Sequence, residues 1–170
     1  MTLPNRAVFG FIFIACAALV ADAVWYMQEQ LGLDPCPMCI LQRYAFIAIG
    51  AIAFVAAIHG RAARVYGSLI VLFCIAGGGV AIRHSYVQHF PPKTLSCGSD
   101  LDFLLNALPL TKALPKIFAG TGDCSAITWT FLGLTIPEWA LVWFLLFAAL
   151  AIWACVRKTA ARVRGPRLRA

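Results

Sequence analysis

The sequence predicts an all-α membrane protein, a bundle of four transmembrane helices with a short interfacial helix in the second periplasmic loop. Three observations carry this. Hydrophobic residues fill 62% of the 170 positions and charged residues only 12%, against roughly 25% charged in soluble domains. Four apolar stretches, at 8–26, 40–58, 65–82 and 137–156, approach the ~20 residues that cross hydrocarbon. The basic residues between them fall predominantly on one side.

The first stretch follows a short basic start, as in a secretory signal. Its apolar run is too long for a signal core and three more follow, so it reads as an uncleaved first span. The second opens directly after Cys36-Pro37-Met38-Cys39. The third is the shortest, and its Gly77-Gly78-Gly79 run weakens a helix while permitting close backbone approach. The fourth begins at Pro137. Irregular backbone in hydrocarbon leaves polar groups unsatisfied, so all four are expected to be helices. Residues 1–170 then form one integral membrane domain.

Orientation comes from the basic residues. Arg6, Arg61, Arg64 and the six basic residues of the tail 157–170 lie on one side, with no acidic residue among those segments. The other side holds loops 27–39 and 83–136, which carry no basic residue and four, respectively. The positive-inside rule puts both termini in the cytoplasm and the two loops outside, in a bacterium the periplasmic face of the inner membrane. The net charge of +7 is thus a topology signal and a contact for anionic lipid headgroups, and no nucleic-acid partner is expected. Trp25, Trp129, Trp139 and Trp153 fall near span ends, as interfacial tryptophans do.

The long outer loop has its own pattern. Leu101, Leu104, Leu105 and Leu108 follow helical spacing, which predicts a short helix on the bilayer surface. Pro109 and Pro115 end it, and Gly120 and Gly122 loosen the chain before Cys124.

Of seven cysteines, Cys16, Cys74 and Cys155 lie inside apolar runs and read as small apolar core residues, whereas Cys36, Cys39, Cys97 and Cys124 lie in the outward segments. The periplasm is a compartment where disulfides persist. A Cys-x-x-Cys pair closes a small redox-active ring. Its other readings are a structural staple or half of a zinc site. A zinc ribbon needs a second such pair or two histidines nearby, and Cys97 and Cys124 are isolated, so no metal is expected. Cys39 falls at the start of a span, where exposed N–H groups and the helix dipole favour a thiolate. Arg43 follows one turn later on the same face. It serves as an interfacial anchor or, more sharply, favours negative charge on Cys39 or on a bound electron acceptor. An acceptor reached from the membrane should be lipid-soluble; a quinone carries two electrons and offers carbonyl oxygens to an arginine.

Cys97 and Cys124 lie 27 positions apart. Pairing them would close a loop worth about 3–4 kcal/mol by the chain-entropy argument, a structural role. The functional alternative is a substrate-facing disulfide that exchanges with the membrane-proximal pair. Four cysteines allow three pairings, and the residues alone leave the choice open.

These motifs resemble the bacterial disulfide bond formation protein B family, DsbB, over nearly the whole chain. The likeness rests on Pro-Cys-x-x-Cys with Arg43 four residues on, then Cys97, Leu-Pro-Leu at 108–110, Pro115, Gly-Asp-Cys at 122–124, and Trp129 to Trp139 opening the fourth span. The resemblance implies disulfides Cys36–Cys39 and Cys97–Cys124. It implies that Cys97 is the cysteine attacked by a reduced periplasmic oxidase of the DsbA type, with a thioredoxin fold, and that Cys124 is its disulfide partner. Cys39 would engage ubiquinone (menaquinone as the alternative), with Cys36 as its exchange partner. Arg43 would stabilise the quinone complex, and His84 matches a histidine near the quinone. Pro37-Met38 inside the motif departs from the best-known members. Gln42 stands where some members carry an acidic residue, which leaves Arg43 without a neighbour to pair with in its helix. Two other readings make different claims. A vitamin K epoxide reductase-like enzyme carries its Cys-x-x-Cys late in the chain, whereas here it comes first. A scaffold stapled by two structural disulfides would leave Cys36–Cys39 unreactive. Asp22 reads as interfacial, and His59 and His89 have no evident partner.

Overall fold

A computed structural model describes residues 5–60, 62–91 and 122–163; Cys97 and the helix expected at 101–108 lie outside the described residues. Helix α1, Asn5–Ala21, runs on into a π-helix, Asp22–Gln30. Then come α2, Pro37–His59, and α3, Ala63–His89. A short helix α4, Gly122–Ser125, precedes strands β1, Thr130–Phe131, and β2, Leu134–Thr135, and then α5, Ile136–Val163. Four helical stretches are long and apolar enough to cross a membrane: Asn5–Gln30, Pro37–His59, Ala63–His89 and Ile136–Val156. The chain is a four-helix, all-α membrane protein, as its composition predicts.

Hydropathy misjudges several ends. The third helix continues to His89 instead of stopping near Ile82, so the loop expected to start at Arg83 is helical there. Polar residues end the apolar run, yet they find partners: Ser85 Oγ donates to Glu138 Oε1 at 3.3 Å, and the Arg83 guanidinium lies 5.4 Å from the Tyr86 ring centroid. Helix α2 begins at Pro37 rather than Ile40, because proline is favoured in a first turn where its missing N–H costs nothing. The first stretch begins at Asn5 rather than Val8. Its polar start binds other helices: Asn5 Nδ2 donates to the Ala154 carbonyl at 3.2 Å, and Arg6 donates to the carbonyls of Ala57 and Ile58 at 2.8 and 2.7 Å. A cation there satisfies and complements the C-terminus of α2.

The β-hairpin is an element that hydropathy does not show. Leu132 and Gly133, with φ of 53° and 80°, form the two-residue turn with positive φ at both centres that fits a twisted hairpin. Trp139 Nε1 donates to the Phe131 carbonyl at 3.0 Å. Glu138, in the first turn of α5, accepts from Thr135 N at 2.7 Å and Thr135 Oγ1 at 3.0 Å, closing the helix start in the manner of a capping box.

The principal packings are α3 on α5, α1 on α2, and α2 on α3. Phe9, Ile12, Ile49, Ile70, Phe144 and Phe147 fill the core, with Cys16 and Cys74 among them. Large apolar side chains such as Ile14, Tyr44, Ile75 and Leu145 stay exposed, which suits a lipid-facing surface. Phe46 and Phe144 stack at 4.2 Å between centroids and 4° between planes. Gly77 makes room for this stack: a Cβ there would lie 2.5 Å from Phe144 Cζ and 3.0 Å from Ala45 Cβ, whereas one on Gly79 meets nothing within 4 Å. The glycine run therefore divides by role. Gly77→Ala should destabilise the fold by about 1–3 kcal/mol through overpacking, and Gly79→Ala should be neutral or slightly stabilising; thermal unfolding in detergent separates the two.

Candidate functional site: a buried dithiol beside a cavity

A second, smaller apolar cluster sits at the end of the bundle away from the α2–α3 turn. It consists of Cys36, Met38, Val87 and Cys124, with Cys39 and Val80 against it. Cys36 is the N-cap of α2, with extended backbone (φ −66°, ψ 160°), and Pro37 follows in the first turn. This geometry turns the Cys36 side chain back over the helix start. Its Sγ accepts from Cys39 N at 3.4 Å and donates to Cys39 Sγ at 3.2 Å. Helix geometry thus brings the two sulfurs together because they are N-cap and third helical residue.

The other components arrive from distant parts of the chain. Cys124, on α4, is 1% exposed and hydrogen-bonds Cys36 through its side chain. That bond pulls the Cys36 thiol down, but its hydrogen bond to Cys39 and its burial outweigh this and push it up to about 12. His84, on α3, is 2% exposed and Gln42, on α2, is 3% exposed. His84 Nε2 lies 3.6 Å from Cys36 Sγ, and His84 Nδ1 lies 3.2 Å from Gln42 Nε2. The ring also hydrogen-bonds the Cys124 backbone.

Cys36, Cys39 and His84 place their donor atoms within 4.8 Å of one another. The fold thus supplies the histidine that the linear sequence lacks for a zinc site. A closed structural zinc site takes four ligands; among the described residues this group offers three.

Arg43 points from α2 toward the π-helix. Its Nη1 donates to Gln28 Oε1 and its Nη2 to the Ala23 carbonyl, both at 2.8 Å. It does find partners, then, though not within its own helix. The wider π-helical winding, seen also in the Leu31 N to Tyr26 carbonyl bond of 3.1 Å, changes which carbonyls are available along this segment. No sequence signal marks Gln28 for this role, because its contact spans two helices.

Dithiol and arginine share a cavity of about 300 Å³. Leu19, Val20, Phe46 and Trp143 provide apolar wall, while Cys36, Cys39, Gln42, Arg43, His84 and Gln88 supply its polar rim. Gln88 Oε1 is buried with no hydrogen-bond partner among the described residues. Of the residues expected at the site, the fold brings Cys36, Cys39, Arg43, His84 and Cys124 together; Cys97 lies outside the described residues.

The fold and site define a four-helix membrane protein with a buried dithiol and a third cysteine against it. Comparison with known proteins assigns it further. Residues 5–154 match the family model for disulfide bond formation protein DsbB. The chain is 49% identical to the disulfide bond formation protein B of Aromatoleum aromaticum, over 91% of this chain and 94% of the relative. It is 50% identical to that of an Azoarcus species, over 90% and 95%, and 44% identical to that of Saccharophagus degradans, over 92% and 96%. The chain belongs to the DsbB family of disulfide bond formation proteins.

Gln28→Leu removes one acceptor from Arg43 and leaves part of a charged group unpaired. It should lower stability by about 1–2 kcal/mol, while Gln30→Ala, at an exposed position, stays within about 0.5 kcal/mol; thermal unfolding in detergent measures both.

Proposed function

We propose that the protein reoxidises a periplasmic thioredoxin-fold dithiol oxidase of the DsbA type and passes the electrons to ubiquinone in the bacterial inner membrane. Both termini are cytoplasmic in this reading, supported by the distribution of Arg6, Arg61, Arg64 and the basic tail. The observation that carries it is the contact of Cys124 with Cys36 beside the cavity.

Exchange then runs in one direction. A partner thiolate attacks Cys97 and breaks the Cys97–Cys124 disulfide. The partner's second thiol resolves the mixed disulfide, so the partner leaves oxidised and Cys97 and Cys124 are reduced. The Cys124 thiolate attacks Cys36, the Cys36–Cys39 bond breaks, and Cys39 leaves as a thiolate. Cys97 then attacks Cys124, re-forms the first disulfide and releases Cys36. Two electrons and two protons have moved from the partner to Cys36 and Cys39.

The cavity fits a quinone. It is apolar over most of its wall, reaches Cys39, and has Arg43 on its rim. Two N–H groups of Arg43 are engaged, and a guanidinium has five, so donors are left for a carbonyl oxygen. Gln88 Oε1 offers an acceptor to a hydroxyl. A bound quinone supplies a two-electron, two-proton acceptor. Cys39, Arg43 and His84 would hold it, and the buried walls keep water from the sulfurs.

Purified protein mixed with reduced partner and ubiquinone in detergent should turn over, read as loss of quinone absorbance. Cys39→Ser should abolish turnover, and Arg43→Ala should raise the apparent KM for quinone about tenfold or more, the loss of a charge-assisted hydrogen bond. Turnover untouched by Cys39→Ser sinks the proposal; an unchanged KM reduces Arg43 to a tie between α2 and the π-helix.

A further inference from the structure

The pair Gln42–His84 is buried in the outer end of a membrane bundle, where a polar side chain without a partner is costly. Gln42 Nε2 faces His84 Nδ1 at 3.2 Å. The opposite ring nitrogen faces Cys36 Sγ at 3.6 Å, within the longer reach of a bond to sulfur. Gln42 lies three residues after Cys39 and so shares the helix turn that carries the dithiol. His84 comes from another helix and touches the backbone of Cys124 as well. The imidazole therefore stands against the Cys36 sulfur and the Cys124 backbone.

We propose that Gln42 is a positioning residue: by donating to His84 Nδ1 it fixes the proton on Nε2, so that an N–H faces Cys36 Sγ and stabilises this sulfur as a thiolate. The proposal rests on the thiol-exchange reading given above. Cys36 is the sulfur that needs such help. It is attacked by Cys124 and later released from it, so charge builds on it when it leaves. A thiolate in a buried site departs poorly unless a donor meets it. Which histidine nitrogen carries the proton is set by the bond the other makes. Gln42, together with the Cys124 backbone bond to the ring, thus decides whether Cys36 meets a donor or a lone pair. Other titratable groups around the pair are Cys39 and Arg43 of α2, Cys124 of α4, and Asp22 and Asp34 across the cavity. Among the described residues Gln42 is the side chain that meets Nδ1.

The chain holds three histidines, His59, His84 and His89, so ring nitrogen NMR of full-length, 15N-histidine-labelled protein in micelles reads the tautomer directly. His84→Ala assigns the signals. In reduced protein His84 should carry its proton on Nε2. Gln42→Met, which keeps the volume, should move it toward Nδ1, and Gln42→Glu, whose carboxylate can only accept, should move it there fully. The second readout is Cys36 alkylation at fixed pH with Cys39, Cys97 and Cys124 replaced by serine. Gln42→Met should slow it about fivefold, the loss of a hydrogen bond to a charged sulfur, and should have no further effect when His84 is already alanine. A proton on Nδ1 in the unmodified protein overturns the proposal. So does a tautomer unmoved by both substitutions, or an alkylation effect that persists without His84. Neither readout needs partner or quinone, so failure of turnover and failure of this inference are distinguishable.

Discussion

Cys36 caps the start of helix α2, and the site is organised around that cap. A cysteine at the N-cap with Pro37 behind it turns one sulfur over the first turn, and the third helical residue supplies the other. A disulfide needs its two sulfurs close and their Cα atoms within a narrow range; the first turn of a helix provides this without loop ordering. A bond made within this one turn would tie no second helix to α2. The chemistry of the dithiol can therefore change without pulling the four helices apart.

Polar groups near hydrocarbon must find partners in the protein, and this rule explains the arrangement around the dithiol. Arg43 is held by Gln28 and the Ala23 carbonyl, His84 by Gln42 and the Cys124 backbone. Each partner lies on a different element from the residue it serves. The polar groups thus tie the π-helix, α2, α3 and α4 together beside the cavity. Near the C-terminal end of α3 Glu138 does the same between α3 and α5, accepting from Ser85 and Thr135, with His89 at 3.9 Å. His89, without an evident partner in the sequence, is held closer by its own helix, its Nδ1 2.9 Å from the Ser85 carbonyl.

The apolar half of the bundle serves a different end. Phe46 and Phe144 stack through the space that Gly77 leaves, which sets how closely α2, α3 and α5 approach. Phe46 also lines the cavity. Core packing and cavity shape are therefore coupled at one ring, and a close-packed interior transmits a change in either to the other.

By itself the sequence determined the four helices, because hydropathy and the scarcity of charge leave hydrocarbon as the solvent and helices as the structure that satisfies it. It also determined the Cys36–Cys39 dithiol and the neighbouring Arg43, since both are local consequences of helix spacing. The ends of the helices were less legible: the polar residues from Arg83 to His89 remain helical, with Ser85 received by Glu138 of α5 and His84 by Gln42 of α2. The hairpin at 130–135 was equally hidden, since its signal is two backbone angles at Leu132 and Gly133. Only the tertiary structure decided that Cys124 meets Cys36, that His84 points a nitrogen at the same sulfur, and that Gln42 and Gln28 orient the groups beside it. Those contacts join residues separated by 15 to 48 positions or more, and no periodicity in a chain encodes which side chain its neighbour in space will be.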